Sequence, residues 1–341
     1  MKRFELHFAV FFVALATVAA FAALDAGTGR VRSQEAVNRD AAHAEPGLKT
    51  TAAGSSLKPT ATESSSKPTA AVRERRVEVA AESEASSSAF DAAATRNAAL
   101  RVELDWTFGG KQQRGWHLYA PLINRLIEAE HDSATGDFAS ALSRWQTRAG
   151  LRPSGVLDQE SLYAMVSAWQ GARLKQRGYP QPEQLLTAPS ADFYDPARPD
   201  ELRQVERETY AAYKRMVAAA VADPALRLEA NAAGELAPAE KYLKIVSSFR
   251  SREYQARLRR MEPHAGRAAL AVNHSPHFTG RALDLYVGGE PVETKDSNRA
   301  IQVQTRVYQW LVRNADRFGF RPYYYEPWHW EYVGAVNAEI K

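Results

Sequence analysis

Two stretches in the C-terminal part of the chain hold the residue types best suited to chemistry: Ser275-Pro276-His277-Phe278-Thr279-Gly280-Arg281-Ala282-Leu283-Asp284 and Glu326-Pro327-Trp328-His329-Trp330-Glu331-Tyr332. Two imidazoles and a carboxylate, His277, Asp284 and His329, make a zinc ligand set. Three ligands leave the metal a fourth position for water or substrate, which separates hydrolytic zinc from structural zinc. Glu326, three residues before the last imidazole, supplies a second carboxylate able to take a proton from water. Pro327 and Trp328 lie between them, so the helical His-Glu-x-x-His arrangement is ruled out. A turn or extended segment must aim both side chains at one ion.

The elements that would position these groups can be read from periodicity. Leu283, Leu285 and Val287 alternate with Asp284 and Tyr286, while Trp328, Trp330 and Tyr332 alternate with His329, Glu331 and Val333. Each strand can bury one face and offer a ligand from the other. His277, between Pro276 and Thr279-Gly280, sits on a rigid bend over the strand of Asp284. A strand over Tyr242–Val246 leads into Ser247-Ser248-Phe249-Arg250-Ser251-Arg252, followed by a polar, Arg-rich helix to about Met261. Leu202, Val205, Ala212 and Met216 share a helical face, and a single helix from about Asn298 to Phe318 turns Ile301, Tyr308, Leu311, Val312 and Ala315 inward. His117, His131, His264 and His274 read as structural or surface residues.

Upstream, Val102, Leu104, Trp106 and Phe108 alternate as in a half-buried strand. Three short helices follow: one with Leu122, Ile123, Leu126 and Ile127; one with Phe138, Ala141, Leu142 and Trp145, capped by Asp137; and one with Leu162, Met165, Val166 and Trp169, capped by Asp158. Prolines at 180, 182, 189, 196 and 199 then exclude a long helix. Before residue 100, Ala, Ser, Thr and charged residues leave little to bury, and the repeat around Lys58-Pro59-Thr60-Ala61 and Lys67-Pro68-Thr69-Ala70 has a tether's composition. Met1-Lys2-Arg3 and the uncharged apolar run Phe8–Leu24 form an export signal, long enough to serve alternatively as a membrane anchor. The expected organisation is a signal peptide or anchor over 1–24, a disordered linker over 25–99, a helical module over 100–172, a Pro-rich connector over 173–199 and a catalytic domain over 200–341.

Composition excludes several classes. The 341 residues include no Cys, so disulfides, thiolate zinc sites and cysteine nucleophiles are absent, and any transition metal must rest on His, Asp and Glu. The net charge of +4 is spread among acids rather than massed, which gives no support to nucleic-acid binding.

Two resemblances add to this. The Ser-x-His-x-x-Gly-x-Ala-x-Asp pattern at 275–284, with Glu-x-Trp-His-x-Glu-Tyr at 326–332 and Ser-Phe-Arg-Ser at 248–251, closely resembles the zinc D-alanyl-D-alanine carboxypeptidases of the vancomycin-resistance type, which belong with the hedgehog and lysostaphin-like metallopeptidases. The resemblance implies an α+β fold with a central antiparallel sheet flanked by helices, Zn2+ held by His277, Asp284 and His329, Glu326 as base, Arg250 facing the developing oxyanion, and Ser275 and Gln255 contacting substrate backbone or terminal carboxylate. Residues 138–158 resemble the small helical peptidoglycan-binding module of cell-wall enzymes, which implies the wall as a partner. Together they give the expectation of an exported, periplasmic or envelope-bound zinc peptidase acting on peptidoglycan stem peptides, with D,D-carboxypeptidase activity. Its rivals are an endopeptidase, an L,D-carboxypeptidase and a zinc-containing wall-binding scaffold without turnover.

Overall fold

The computed structural model describes residues 89–334 except Gly109, His131, 176–177 and 262–274. The export segment 1–24, the tether to residue 88, His131, His264 and His274 lie outside the described residues. The first element, α1, is a helix over 89–103. It overturns two expectations: the linker to residue 99 includes a folded helix from 89, and Val102 is an exposed helical residue rather than part of a strand. The reason is that α1 buries small and polar groups, Ala93, Ala94 and Asn97, at helical spacing. Alanine favours the helix and permits close approach, so a search for large apolar residues overlooks it.

Asn97 shows what α1 holds. Its Nδ2 donates to the Gly155 carbonyl at 2.8 Å, and its Oδ1 accepts from the Leu157 amide at 2.8 Å, clamping the loop between two later helices. Both groups are out of water, so Asn97→Ala orphans a donor and an acceptor. Each orphan costs about 1–3 kcal/mol, and a drop in the denaturant midpoint should report it.

A hairpin follows, β1 (Asp105–Phe108) antiparallel to β2 (Lys111–Arg114). Then come α2 (Ala120–Ile127), α3 (Gly136–Arg148) and α4 (Gln159–Gly171). Their apolar stripes pack as expected, with Ile123, Phe138, Leu142, Leu162, Met165 and Val166 fully buried. Asp158 caps α4 by accepting from the Ser161 amide at 2.9 Å. Thr135, not Asp137, caps α3, its hydroxyl accepting from the Phe138 amide at 3.3 Å. Asp137 instead lies in the first turn of the helix.

Between α4 and the next helix the chain forms only short turns and strands among the described residues, in keeping with its prolines. It is nevertheless stitched to the rest. β3 (Leu185–Thr187) pairs with β4 (Gln204–Glu206), Phe193 bridges to Ile245, and Ala188 and Phe193 are buried. Val205, expected on a helical face, lies in β4. Helix α5 (Arg207–Val221) starts only where the Glu206 carboxylate accepts from the amides of Glu208 and Thr209.

The remaining elements are β5 (Ile245–Ser247), α6 (Arg252–Met261), β6 (Ala282–Leu285), α7 (Asp296–Gln304), α8 (Arg306–Asn314), β7 (Phe320–Tyr323) and β8 (Glu326–Tyr332). The fold is mixed α+β, built on a four-stranded antiparallel sheet in the order β5-β6-β8-β7. The expected single helix to Phe318 is broken at Thr305, which is extended (ψ 145) and caps α8 by accepting from the Tyr308 amide at 3.1 Å. The break turns Ile301 outward, 57% exposed, while Tyr308, Leu311, Val312 and Ala315 stay buried. Both faces of β6 and β8 are covered. On one, Leu283, Leu285 and Trp330 are buried, and the Trp330 ring meets Tyr308 of α8 edge-on at 6.4 Å. The other face holds the polar groups of the site.

Arg299 of α7 is 2% exposed. It donates to the Tyr119 hydroxyl at 2.8 Å and lies 5.4 Å from the Tyr119 ring and 4.1 Å from the Tyr325 ring. It therefore fastens the residues around α2 to α7 and to the turn before β8. Among the described residues no helix is long and apolar enough to cross a membrane.

Candidate metal centre

Strand register brings the polar residues together. Asp284 pairs with Ser247 on one side and with His329 on the other, so the three side chains stand in one row across β5, β6 and β8. Glu331, two residues beyond His329, belongs to the same face. His329 Nδ1 is 2.9 Å from Asp284 Oδ1, and His329 Nε2 is 3.3 Å from Glu331 Oε1.

Glu326 is an odd number of residues from His329, which in a regular strand would put it on the other face. The register of β7 against β8 shifts, however: Pro322 faces Trp330 while Tyr323 faces Glu326, leaving Pro327, Trp328 and His329 bulged. Pro327 has no amide hydrogen for the ladder, and a bulge re-aims the side chains around it. Glu326 is buried, 8% exposed, and feels the charges of His329, Asp284, Arg173 and Arg250. The expected turn or extended segment is this bulge.

His277 comes from a 3-10 turn over Pro276–Thr279 that ends at Gly280, whose φ of +70° is left-handed. A side chain at Gly280 would meet Glu206 Cβ and the Glu206 amide nitrogen, each at 3.1 Å, so the turn needs glycine for conformation and for space. The His277 and His329 rings lie edge to face, 4.9 Å apart.

The donor atoms fit a cation. His277 Nδ1 is 2.8 Å from the Ser248 carbonyl, which can only accept, so Nδ1 carries the proton and Nε2 is bare. That bare nitrogen faces Asp284 Oδ2 at 3.3 Å. An ionised carboxylate also only accepts, so two lone pairs face each other out of water, an arrangement that a positive ion between them relieves. All three residues offer ligand atoms within 4.8 Å of one another. Ligands of a tetrahedral ion with bonds of about 2.0–2.1 Å stand roughly 3.3 Å apart, which is the separation of His277 Nε2 and Asp284 Oδ2. The buried His277, Asp284 and His329 group could therefore bind a metal ion.

In the metal-free group the electrostatics separate the two imidazoles. Burial, reinforced by Arg250, lowers the His277 imidazole to about 4, which keeps it neutral as a ligand must be. Burial opposes charge on Asp284, yet His277 and His329 hold its carboxyl well below the usual range. Burial also opposes an imidazolium at His329, but its hydrogen bonds to Asp284 and Glu331 prevail and raise it to about 9. Burial pushes the Glu326 carboxyl up to about 7.

Arg250 is buried beside this group, its Nη2 3.4 Å from Asp284 Oδ2 and 3.1 Å from Ser247 Oγ, while its Nη1 has no partner among the described residues. At 4% exposed, Arg250 is not on the surface. Gln255 on α6 is 3% exposed, so it does not face solvent. Ser275 is half-buried at the start of the 3-10 turn, and its side chain makes no capping bond there. Glu331 is fully buried and bonded to His329. Trp328 and Trp330 are buried in the sheet. Sequence reasoning missed Ser248, whose backbone carbonyl sets the His277 tautomer, and Arg173, which pairs with Glu331. A backbone acceptor has no side-chain signature, and Arg173 is one of many charged residues in its stretch.

Imidazole, carboxylate and imidazole on a sheet, with a raised carboxyl and a guanidinium within electrostatic reach, define a hydrolytic metallopeptidase rather than a structural metal site. Residues 203–335 match the VanY D-alanyl-D-alanine carboxypeptidase family. That stretch is therefore a D-alanyl-D-alanine carboxypeptidase domain of the VanY type, a family of zinc metallopeptidases. No curated protein matches the chain.

Proposed function

We propose that this chain is exported and, with zinc held by His277, Asp284 and His329, removes the terminal D-alanine from peptidoglycan stem peptides as a D,D-carboxypeptidase. The observation that carries the reading is the buried pair of facing lone pairs on His277 Nε2 and Asp284 Oδ2 inside a domain of the matching family. When bound, zinc supplies Lewis-acid polarisation of the scissile carbonyl and lowers the pKa of a water. Glu326 takes the proton from the attacking water and delivers it to the leaving amine. Its carboxyl, raised by burial to about 7, is suited to both halves of that task near neutral pH. Arg250 has an unpartnered Nη1, a donor for the developing oxyanion in a site where fixed charge is worth far more than in water. Ser275 and Gln255 hold the substrate backbone or its terminal carboxylate.

In this reading residues 200–341 perform the chemistry, the helices within 100–172 bind the wall, and 173–199 connect them. The Phe8–Leu24 run acts as signal peptide or inner-membrane anchor, which places the enzyme in the periplasm or envelope. Mass spectrometry of muropeptides before and after digestion tests the proposal. Loss of a single alanine from pentapeptide stems is the expected result. Split stems would make the chain an endopeptidase, and the absence of any product from fully zinc-loaded protein would end the enzymatic reading.

A further inference from the structure

Glu331 is wholly buried, and a carboxylate without water needs compensation. It comes from outside the family-matched stretch. Arg173, just beyond α4, donates to Glu331 Oε1 through Nη2 and, at 3.1 Å, through Nε; the Leu174 amide donates to Glu331 Oε2 at 2.9 Å. The guanidinium is itself fixed, with Nη1 donating to Gln170 Oε1 at 2.9 Å and the Tyr323 ring 4.1 Å from its carbon. Both Glu331 oxygens are thus pinned by residues 173 and 174. Oε1, the oxygen that Arg173 holds, is also the one 3.3 Å from His329 Nε2.

We propose that Arg173 is a positioning residue of the metal centre. By locking Glu331 it makes Oε1 the acceptor for His329 Nε2–H, which leaves His329 Nδ1 bare and turned toward Asp284, where a metal ion would take it. A partner on the remote nitrogen fixes which imidazole nitrogen can ligate, and loss of such partners typically weakens metal binding 10- to 100-fold. The VanY-type stretch 203–335 would then not be a complete catalytic unit, because the end of α4 finishes its metal site. This inference rests on the metal reading given above.

The test uses the full chain and zinc alone. Competition against a chromophoric chelator should show Arg173→Ala binding zinc about 10- to 100-fold more weakly, with partial recovery in Arg173→Lys. Because Arg173→Ala strands a buried carboxylate, the double variant Arg173→Met/Glu331→Gln, which carries no unpaired charge, should also be measured; it too should bind zinc at least about tenfold more weakly. In proton NMR, the downfield imidazole signal of His329 Nε2–H should be present in wild type and lost in Arg173→Ala. A role confined to docking α4 would move neither zinc affinity in a folded double variant nor this signal. Unchanged affinity and an intact signal in the variants, with wild type binding zinc, would overturn the inference alone. Failure of wild type to bind zinc would overturn the metal reading and this inference with it.

Discussion

Glu326→Gln should retain its zinc and lose activity by about 100- to 10,000-fold, the range that a positioned proton-transfer group contributes. The substitution keeps the size of the side chain and removes the ability to accept a proton. It also removes a carboxyl that burial already disfavours as an anion, so the folded state should lose little stability. None of His277, Asp284 and His329 is altered, and elemental analysis should find the same metal content as in wild type. A fall in kcat of this size corresponds to about 3–5 kcal/mol of transition-state stabilisation, with KM little changed. Full turnover in the variant would refute Glu326 as the base. Loss of metal along with turnover would instead make it part of the ion's binding set.

The second large effect is expected from His277→Ala, which should lose zinc and activity together. Two changes coincide at this residue: the bare Nε2 disappears from beside Asp284, and the Ser248 carbonyl loses its imidazole donor. The uncompensated carbonyl costs about 1–3 kcal/mol of stability on its own. Thermal unfolding with and without chelator separates the two. Zinc at about a hundred times its Kd stabilises a native site by about 2.7 kcal/mol, so chelation should lower the melting temperature of wild type and leave that of the variant unmoved. A variant that melts lower in chelator and still turns over substrate would remove His277 from the ligand set.

Much of the centre was legible in the sequence because its ligands lie within two short motifs with fixed alternation. Asp284 and His329 fall on polar phases of strands whose other phases are apolar, and in the sheet they pair directly with each other. What the sequence hid follows from tertiary contact. The bulge at Pro327 shows only when β8 is laid against β7. Arg173 and Ser248 contribute through pairings between distant segments. Helix α1 was hidden because its buried face is made of Ala93, Ala94 and Asn97, which do not resemble a core. The split at Thr305 was missed because apolar spacing runs almost unbroken across it, and a single extended residue sufficed to rotate Ile301 outward.

The guanidinium of Arg299, packed on the rings of Tyr119 and Tyr325, resists a hinge between the chain entering α2 and the sheet. If the helices within 100–172 bind the wall as proposed, their grip would pass its orientation to the metal centre. The angle at which a stem peptide arrives would be decided when the protein lands, rather than by a later search.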